Sequence, residues 1–189
     1  YGKSIDLNNY SNQRKGIDSD MVTLMNDMKS GSVATLIVVG DANPVFELPD
    51  GSDFASAMKK VGLTVSLSSV PNETSDLCNY IAPSNHFLES WGDAQPRKNN
   101  YYVVQPTISP LFKTRQAEQS LLTWANSPVD DFSTYIQNIW KSSLFGLQNE
   151  YSDFQSFWNN SLHNGLIELP SQSGAAGVAI DVTSFSSAI

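Results

Sequence analysis

The sequence is poor in cysteine, and this limits the chemistry that the chain can carry. Cys78 is the only cysteine among 189 residues. One thiol cannot form an internal disulfide, and it cannot supply the ligands of a cysteine-based zinc site or an iron–sulfur cluster. We interpret Cys78 as a small buried apolar side chain, and we predict no metal site in this segment.

Basic residues are also few. The chain has 11 lysines and arginines against 19 aspartates and glutamates, which gives a formal net charge of -8 at pH 7. No cluster of lysine or arginine offsets this charge. Because phosphate backbones repel an acidic surface, the balance argues against nucleic acid as a partner.

Long apolar runs are missing as well. None approaches the roughly 20 residues that a membrane-spanning helix needs, so we predict no direct membrane insertion. The sequence begins at Tyr1 and shows no basic segment followed by an apolar one. Such a start is typical of a segment excised or processed from a larger protein.

What is present predicts an α/β fold. Residues 33–39 are continuous, apolar and rich in β-branched side chains, which is typical of a strand covered on both faces. A helical pattern at Phe54, Met58 and Val61 follows, and then a second strand over residues 63–67. This spacing fits a right-handed crossover between parallel strands. Further strands are predicted at 80–82 and 101–105.

Helical patterns dominate the rest of the chain. A stripe of methionine and leucine over residues 21–28 ends at Gly31, and aromatic stripes cover residues 132–140 and 154–162, the latter ending at Gly165. We therefore predict a Rossmann-like, mostly parallel sheet flanked by helices, with a helical C-terminal part. The predicted organisation is an irregular lead-in (1–18), one α/β domain (19–169), and a linker with a terminal strand (170–189).

Familiar catalytic and nucleotide-binding motifs are absent. The sequence has no G-x-G-x-x-G, no P-loop, no G-x-S-x-G and no H-E-x-x-H. The histidines, His86 and His163, are far apart in sequence. A hydrolase that uses a serine together with His86 remains an open hypothesis, but no feature of the sequence points to a particular serine. We predict no catalytic residue.

Polar side chains instead cluster where the predicted strands end. Open parallel sheets bind ligands at the carboxyl ends of their strands, so these side chains could line a shared cleft. The competing interpretation is that they are ordinary turn and helix-capping residues. The candidate cleft residues are Asn43, Pro44, Glu73, Thr74, His86, Glu89, Trp91 and Asp93.

The same loops carry a resemblance to the molybdopterin oxidoreductase superfamily. The matching segments come in the family's order over roughly residues 33–115: Gly-Asp-Ala-Asn-Pro (40–44), Glu-Thr-Ser (73–75), Tyr-Ile-Ala-Pro (80–83) and Leu-Glu-Ser-Trp-Gly (88–92). Within the superfamily, residues 86–94, 105–106 and 110–112 resemble the large iron–sulfur subunit of bacterial alternative complex III. That subunit pairs a molybdopterin-enzyme-like domain, which lacks the cofactor, with a ferredoxin-like domain that holds the clusters.

The sequence departs from cofactor-binding members of the family. Asn79 stands where they have an aspartate, and Trp91 and Asp93 stand where their pattern has small or neutral residues. A tryptophan and an extra acid would crowd and repel a pyrophosphate-bearing pterin. The resemblance therefore implies that molybdopterin is not bound and that any iron–sulfur clusters lie elsewhere in the parent protein.

Two functions follow as hypotheses. In the first, the segment is a non-catalytic structural and docking domain of a quinol-oxidising respiratory subunit. Its partners would be the ferredoxin-like domain of the same chain and other subunits, at the periplasmic face of the bacterial inner membrane. In the second, the segment belongs to a molybdenum bis-guanine-dinucleotide oxidoreductase, and Asn43, Glu73, Thr74 and Asp93 hold the arms of the cofactor.

Overall fold

Strands and helices alternate in the first half of the chain. The computed structural model describes residues 9–170, so the predicted terminal strand lies outside the described residues. The elements of the first half are, in order, α1 (Asp18–Ser30), β1 (Thr35–Val38), α2 (Pro44–Glu47), α3 (Gly51–Met58), β2 (Leu63–Ser66), a 3-10 turn (Ser75–Leu77) and β3 (Tyr80–Ile81).

The first sheet is parallel, as the crossover spacing predicts. Its strand order is β1-β2-β3, with Thr35 opposite Leu63 and Val65 opposite Tyr80. Helices α1 and α3 pack against β1 through a core that contains Met28, and the α/β class is confirmed. Gly31 ends α1 in the left-handed conformation with φ 80°, a backbone geometry that glycine adopts without steric cost.

Coverage of β1 differs from the prediction. Leu36 and Val38 are buried, whereas Ile37 and the following Val39 are exposed. One face of this strand therefore packs on the helices and the other remains open among the described residues. A continuous apolar run did not distinguish a strand covered on one face from a strand covered on both.

The second half of the chain forms an antiparallel sheet packed against helices. Its strand order is β4-β5-β6, and both pairings are antiparallel. The elements are, in order, a 3-10 turn (Phe87–Glu89), β4 (Gly92–Arg97), β5 (Asn100–Val104), α4 (Ala117–Trp124), α5 (Phe132–Ser143), a 3-10 turn (Phe145–Leu147), α6 (Phe154–Asn164) and β6 (Leu166–Glu168).

This second sheet is the main departure from the predicted, mostly parallel arrangement. Residues 101–105 were predicted as a strand, and β5 lies there, but β4 and β6 were missed. The β4 sequence, Gly-Asp-Ala-Gln-Pro-Arg, has neither alternation nor β-branched side chains, and β6 has only three residues. Both segments form strands because they pair with β5, and not because their own residues favour a strand.

Trp140 lies at the centre of the second core. Its side chain is fully buried in α5, and its ring meets those of Tyr101, Phe157 and Trp158 at centroid distances of 6.4, 6.2 and 5.4 Å. The indole Nε1–H donates a hydrogen bond of 2.8 Å to the Asp93 carboxylate on β4. Most residues of the aromatic stripes predicted from sequence therefore belong to a core that joins α5 and α6 to the antiparallel sheet, whereas Tyr135 and Ile139 on α5 are exposed.

Candidate functional site

The carboxyl ends of the parallel strands meet at one cavity of about 400 Å³. Gly40 and Asp41 come from the end of β1, Leu67 and Ser69 from the end of β2, and residues 84–87 from the chain after β3. Parallel pairing explains the convergence, because it puts all three strand ends at the same edge of the sheet. The opposite wall comes from the second half of the chain: Ser90, Trp91, Gly92, Asp93, Val104, Gln116 and Glu118.

Asp41 ties the first two strand ends together. Its Oδ1 accepts hydrogen bonds from the Ser69 N–H at 2.9 Å, the Ser69 hydroxyl at 2.8 Å and the Ser68 hydroxyl at 3.0 Å. The backbone N–H of Ser69, followed by its hydroxyl, holds the pKa of Asp41 below its ordinary value of 3.8, and modest burial opposes this only in part. Asp41 is therefore a carboxylate at neutral pH.

The Asp41 contacts predict a specific acid response. A depressed pKa stabilises the fold above the ordinary pKa of 3.8, and that contribution is lost as the pH falls through the folded-state pKa. We expect Asp41→Asn to lower the free energy of unfolding by about 1 kcal/mol or less near pH 7, since the group is largely exposed. Urea titrations at a series of pH values should show the deficit shrinking towards pH 3. Asp50→Asn, at an exposed position whose side chain makes no capping bond, is the control and should leave the free energy of unfolding near pH 7 almost unchanged.

Four of the sequence-predicted residues form a separate group beside the cavity. Asn43 Oδ1 accepts hydrogen bonds from the Thr74 N–H at 3.1 Å and the Thr74 hydroxyl at 2.8 Å, while Asn43 Nδ2 donates to Glu73 Oε2 at 2.6 Å. This bond from Asn43 lowers the pKa of Glu73. Pro44 is buried and begins α2. None of the four lines the cavity, and the polar atoms of Asn43 are already engaged with the protein.

The other four predicted residues lie at or next to the cavity. His86, Trp91 and Asp93 line it. Glu89 is not among the lining residues, and it is only 8% exposed. Its carboxylate accepts hydrogen bonds from the backbone N–H groups of His86 at 3.0 Å and Leu111 at 2.9 Å. Glu89 therefore positions two loops, and any ligand role for it stays a prediction.

Gln116 and Glu118 are cavity residues that sequence reasoning missed. The Gln116 amide pairs with the backbone of Trp91, donating to its carbonyl at 2.6 Å and accepting from its N–H at 3.2 Å. It also donates to Glu118 at 2.9 Å. Gln116 immediately precedes α4 and Glu118 lies in its first turn. Both are more than 20 positions beyond Trp91, and no local motif signals the contact.

The charge of the cavity does not suit a phosphate-bearing ligand. Its lining includes the carboxylates Asp41, Asp93 and Glu118 and no lysine or arginine. A phosphate or pyrophosphate group placed here would meet like charge without a counter-ion as it lost its water. The lining therefore offers a pyrophosphate-bearing pterin no lysine or arginine as a partner.

Within residues 9–170, no group of three or more histidine, cysteine, aspartate or glutamate side chains is placed to hold a metal ion. Cys78 is half-buried and packs against the first core. Its burial raises the pKa of the thiol. Across the same span, no helix is both long and apolar enough to traverse a bilayer.

Comparison with known proteins identifies a curated relative of part of this chain. The chain is 32% identical over 90 residues to the menaquinone reductase, molybdopterin-binding-like subunit, of Nitratidesulfovibrio vulgaris strain Hildenborough. The chain is related to a molybdopterin-binding-like protein. The match covers 46% of this chain and 13% of that relative. No protein-family model matches the chain.

The relationship confirms the broader part of the predicted resemblance, the likeness to molybdopterin oxidoreductase-like proteins. The narrower likeness, to the subunit of alternative complex III, stays a prediction. Among solved structures, acetylene hydratase from Pelobacter acetylenicus is similar over 54% of this chain and 15% of its own, with 14% sequence identity and a TM-score of 0.47.

Proposed function

We propose that this chain is a non-catalytic docking domain of a respiratory electron-transfer subunit that acts on quinols or quinones. The observation that carries the proposal is the charge of the cavity at the strand ends. Three carboxylates and no lysine or arginine line the place where a molybdopterin-like fold would present its cofactor loops. The similarity to a subunit described as molybdopterin-binding-like also supports this proposal.

The hydrogen bonds of the Asn43 group give independent support. In the competing hypothesis, Asn43, Glu73 and Thr74 hold the arms of a guanine-dinucleotide cofactor. Instead, both the carbonyl and the amide of Asn43 are used to join the loop after β1 to the turn before β3. These side chains stabilise the fold, and a ligand would have to displace bonds that are already short.

The remaining parts of the proposal come from the resemblance. The iron–sulfur clusters would belong to a ferredoxin-like domain of the same polypeptide, and the partners would be that domain and further subunits. The assembly would lie at the periplasmic face of the bacterial inner membrane. In this arrangement the chain contributes contact surface, and electrons pass through its partners.

Metal and nucleotide analysis of the purified chain tests this proposal. After expression in cells supplied with molybdate and iron, we expect substoichiometric molybdenum and iron by mass spectrometry, and no pterin fluorescence after oxidative extraction. Isothermal titration with millimolar GDP should give no binding heat. Stoichiometric molybdenum, or saturable GDP binding that Asn43→Ala abolishes, would favour the cofactor-binding alternative and refute the docking role.

A further inference from the structure

An exposed apolar surface adjoins the acidic cavity. We call the side chains of Phe87, Leu88, Ile108, Leu111 and Phe112 the apolar patch. Phe87, Leu111 and Phe112 are 66%, 71% and 77% exposed, which is high for large apolar groups close together in one region. Exposed apolar patches with polar surroundings mark interaction sites more often than scattered single residues do.

The patch is formed by two segments of the chain, and hydrogen bonds hold it in a defined shape although the second segment is irregular. The Leu88 carbonyl accepts hydrogen bonds from the backbone N–H groups of Thr107 at 2.7 Å and Ile108 at 3.1 Å. The buried Glu89 carboxylate bonds to the N–H of Leu111, and Thr114 donates to Asn85 at 2.6 Å. The residues from 107 to 114 are thus fastened along residues 85–89. A surface already ordered before binding loses less entropy when a partner docks.

Phe87 belongs both to the patch and to the cavity lining, which makes the two features continuous. On the cavity side, Asp41, Asp93 and Glu118 provide negative charge, and the rings of Phe87 and Trp91 provide faces that attract cations. Lys113 lies within the 107–114 segment itself and Arg115 directly follows it, but neither lines the cavity. Arg115 Nε donates to the Ser120 hydroxyl at 3.0 Å.

We propose that the apolar patch and the acidic cavity form one docking surface for a segment of a partner subunit that carries lysine or arginine next to leucine or phenylalanine. The inference rests on the proposed docking function and adds the place and the chemistry of the contact. The apolar side chains of the partner pack on the patch, and its cation enters the cavity among the carboxylates. Charge complementarity selects a basic partner, since an acidic one would be repelled.

Peptide binding to the full chain tests this surface. The probe is a fluorescently labelled peptide of alternating lysine and leucine, followed by anisotropy. We expect saturable binding, weakened about tenfold or more when glutamate replaces lysine or serine replaces leucine in the peptide. We expect Phe112→Ser and Phe87→Ser to weaken binding of the first peptide by a similar factor, as loss of an aromatic contact at an interface does.

Matched control variants separate this surface from general adsorption. Phe46 is 74% exposed on α2, outside the patch, so Phe46→Ser should bind like the unaltered chain. Glu118→Gln, in the cavity, should weaken binding more than Glu47→Gln, on α2. Thermal unfolding verifies that each variant is folded.

Three outcomes would overturn the inference. Equal loss in Phe112→Ser and Phe46→Ser, or binding that responds to salt but not to the aromatic substitutions, would show adsorption only. Self-association of the chain that Phe112→Ser abolishes would assign the patch to a second copy instead. If the chain is metal-free but fails these peptide tests, this docking surface is refuted and the proposed function still holds. Stoichiometric molybdenum refutes the proposed function whatever the result of the peptide tests.

Discussion

Trp140→Ala should lower the free energy of unfolding by about 3–5 kcal/mol, the range for truncating a fully buried large aromatic side chain. The indole is fully buried and contacts three other aromatic rings, and α5, α6 and β5 close around it. The truncation leaves a cavity that these rings cannot fill without moving. It also removes the hydrogen bond from Nε1 to Asp93. Chemical denaturation followed by far-ultraviolet circular dichroism measures the loss.

Two further variants separate the causes of that loss. Trp124 is 47% exposed on α4, so Trp124→Ala removes the same side chain from a position with little packing and should cost less than about 1 kcal/mol. Trp140→Phe keeps an aromatic ring but lacks the donor to Asp93, and it should fall between the two. A Trp140→Ala protein as stable as Trp124→Ala would contradict the assignment of Trp140 as the centre of this core.

Gly51→Ala should be strongly destabilising for a steric reason. Gly51 is the first residue of α3, and α2 passes directly beside it. A Cβ at this position would overlap the Val45 carbonyl oxygen and lie 2.8 Å from its carbonyl carbon. Both are backbone atoms, so α2 and α3 must separate to admit one methyl group. We expect a loss of about 3 kcal/mol, at the upper end of the usual cost of overpacking.

Gly146→Ala is the matched control for Gly51→Ala. A Cβ at Gly146 would meet no atom within 4 Å, so the same substitution there should change the stability by about 0.5 kcal/mol or less. Urea midpoints for the two variants, measured side by side, give the comparison. Similar midpoints would mean that α2 and α3 are not in contact as the structure has them.

The sequence predicts those parts of the fold that are determined by residues close together in the chain. The parallel sheet follows from a β-branched run, a helix and a second run at crossover spacing, all within residues 33–67. The ends of the helices at Gly31 and Gly165 can be predicted from the glycines alone, and both glycines are in the left-handed conformation. β4 could not be predicted, because it is held by antiparallel pairing with β5 and not by its own polar sequence.

The candidate site divides in the same way. The sequence indicates that the three strand ends meet, since this needs only a parallel sheet. It does not indicate that Asn43 bonds to Thr74, which takes both away from the cavity. Nor does it indicate that Gln116 closes the opposite wall against the backbone of Trp91. Those contacts depend on side-chain geometry across distant segments.

The single thiol has a practical consequence for such measurements. Cys78 is half-buried against the first core, and its raised pKa keeps it protonated and therefore slow to react near neutral pH. A change in its rate of alkylation thus reports a change in the packing around the parallel sheet, without any engineered label. Gly51→Ala perturbs that half of the molecule and should speed the labelling, whereas truncation of Trp140 acts first on the other half. One natural side chain can therefore report on the packing of one half of the molecule separately from the other.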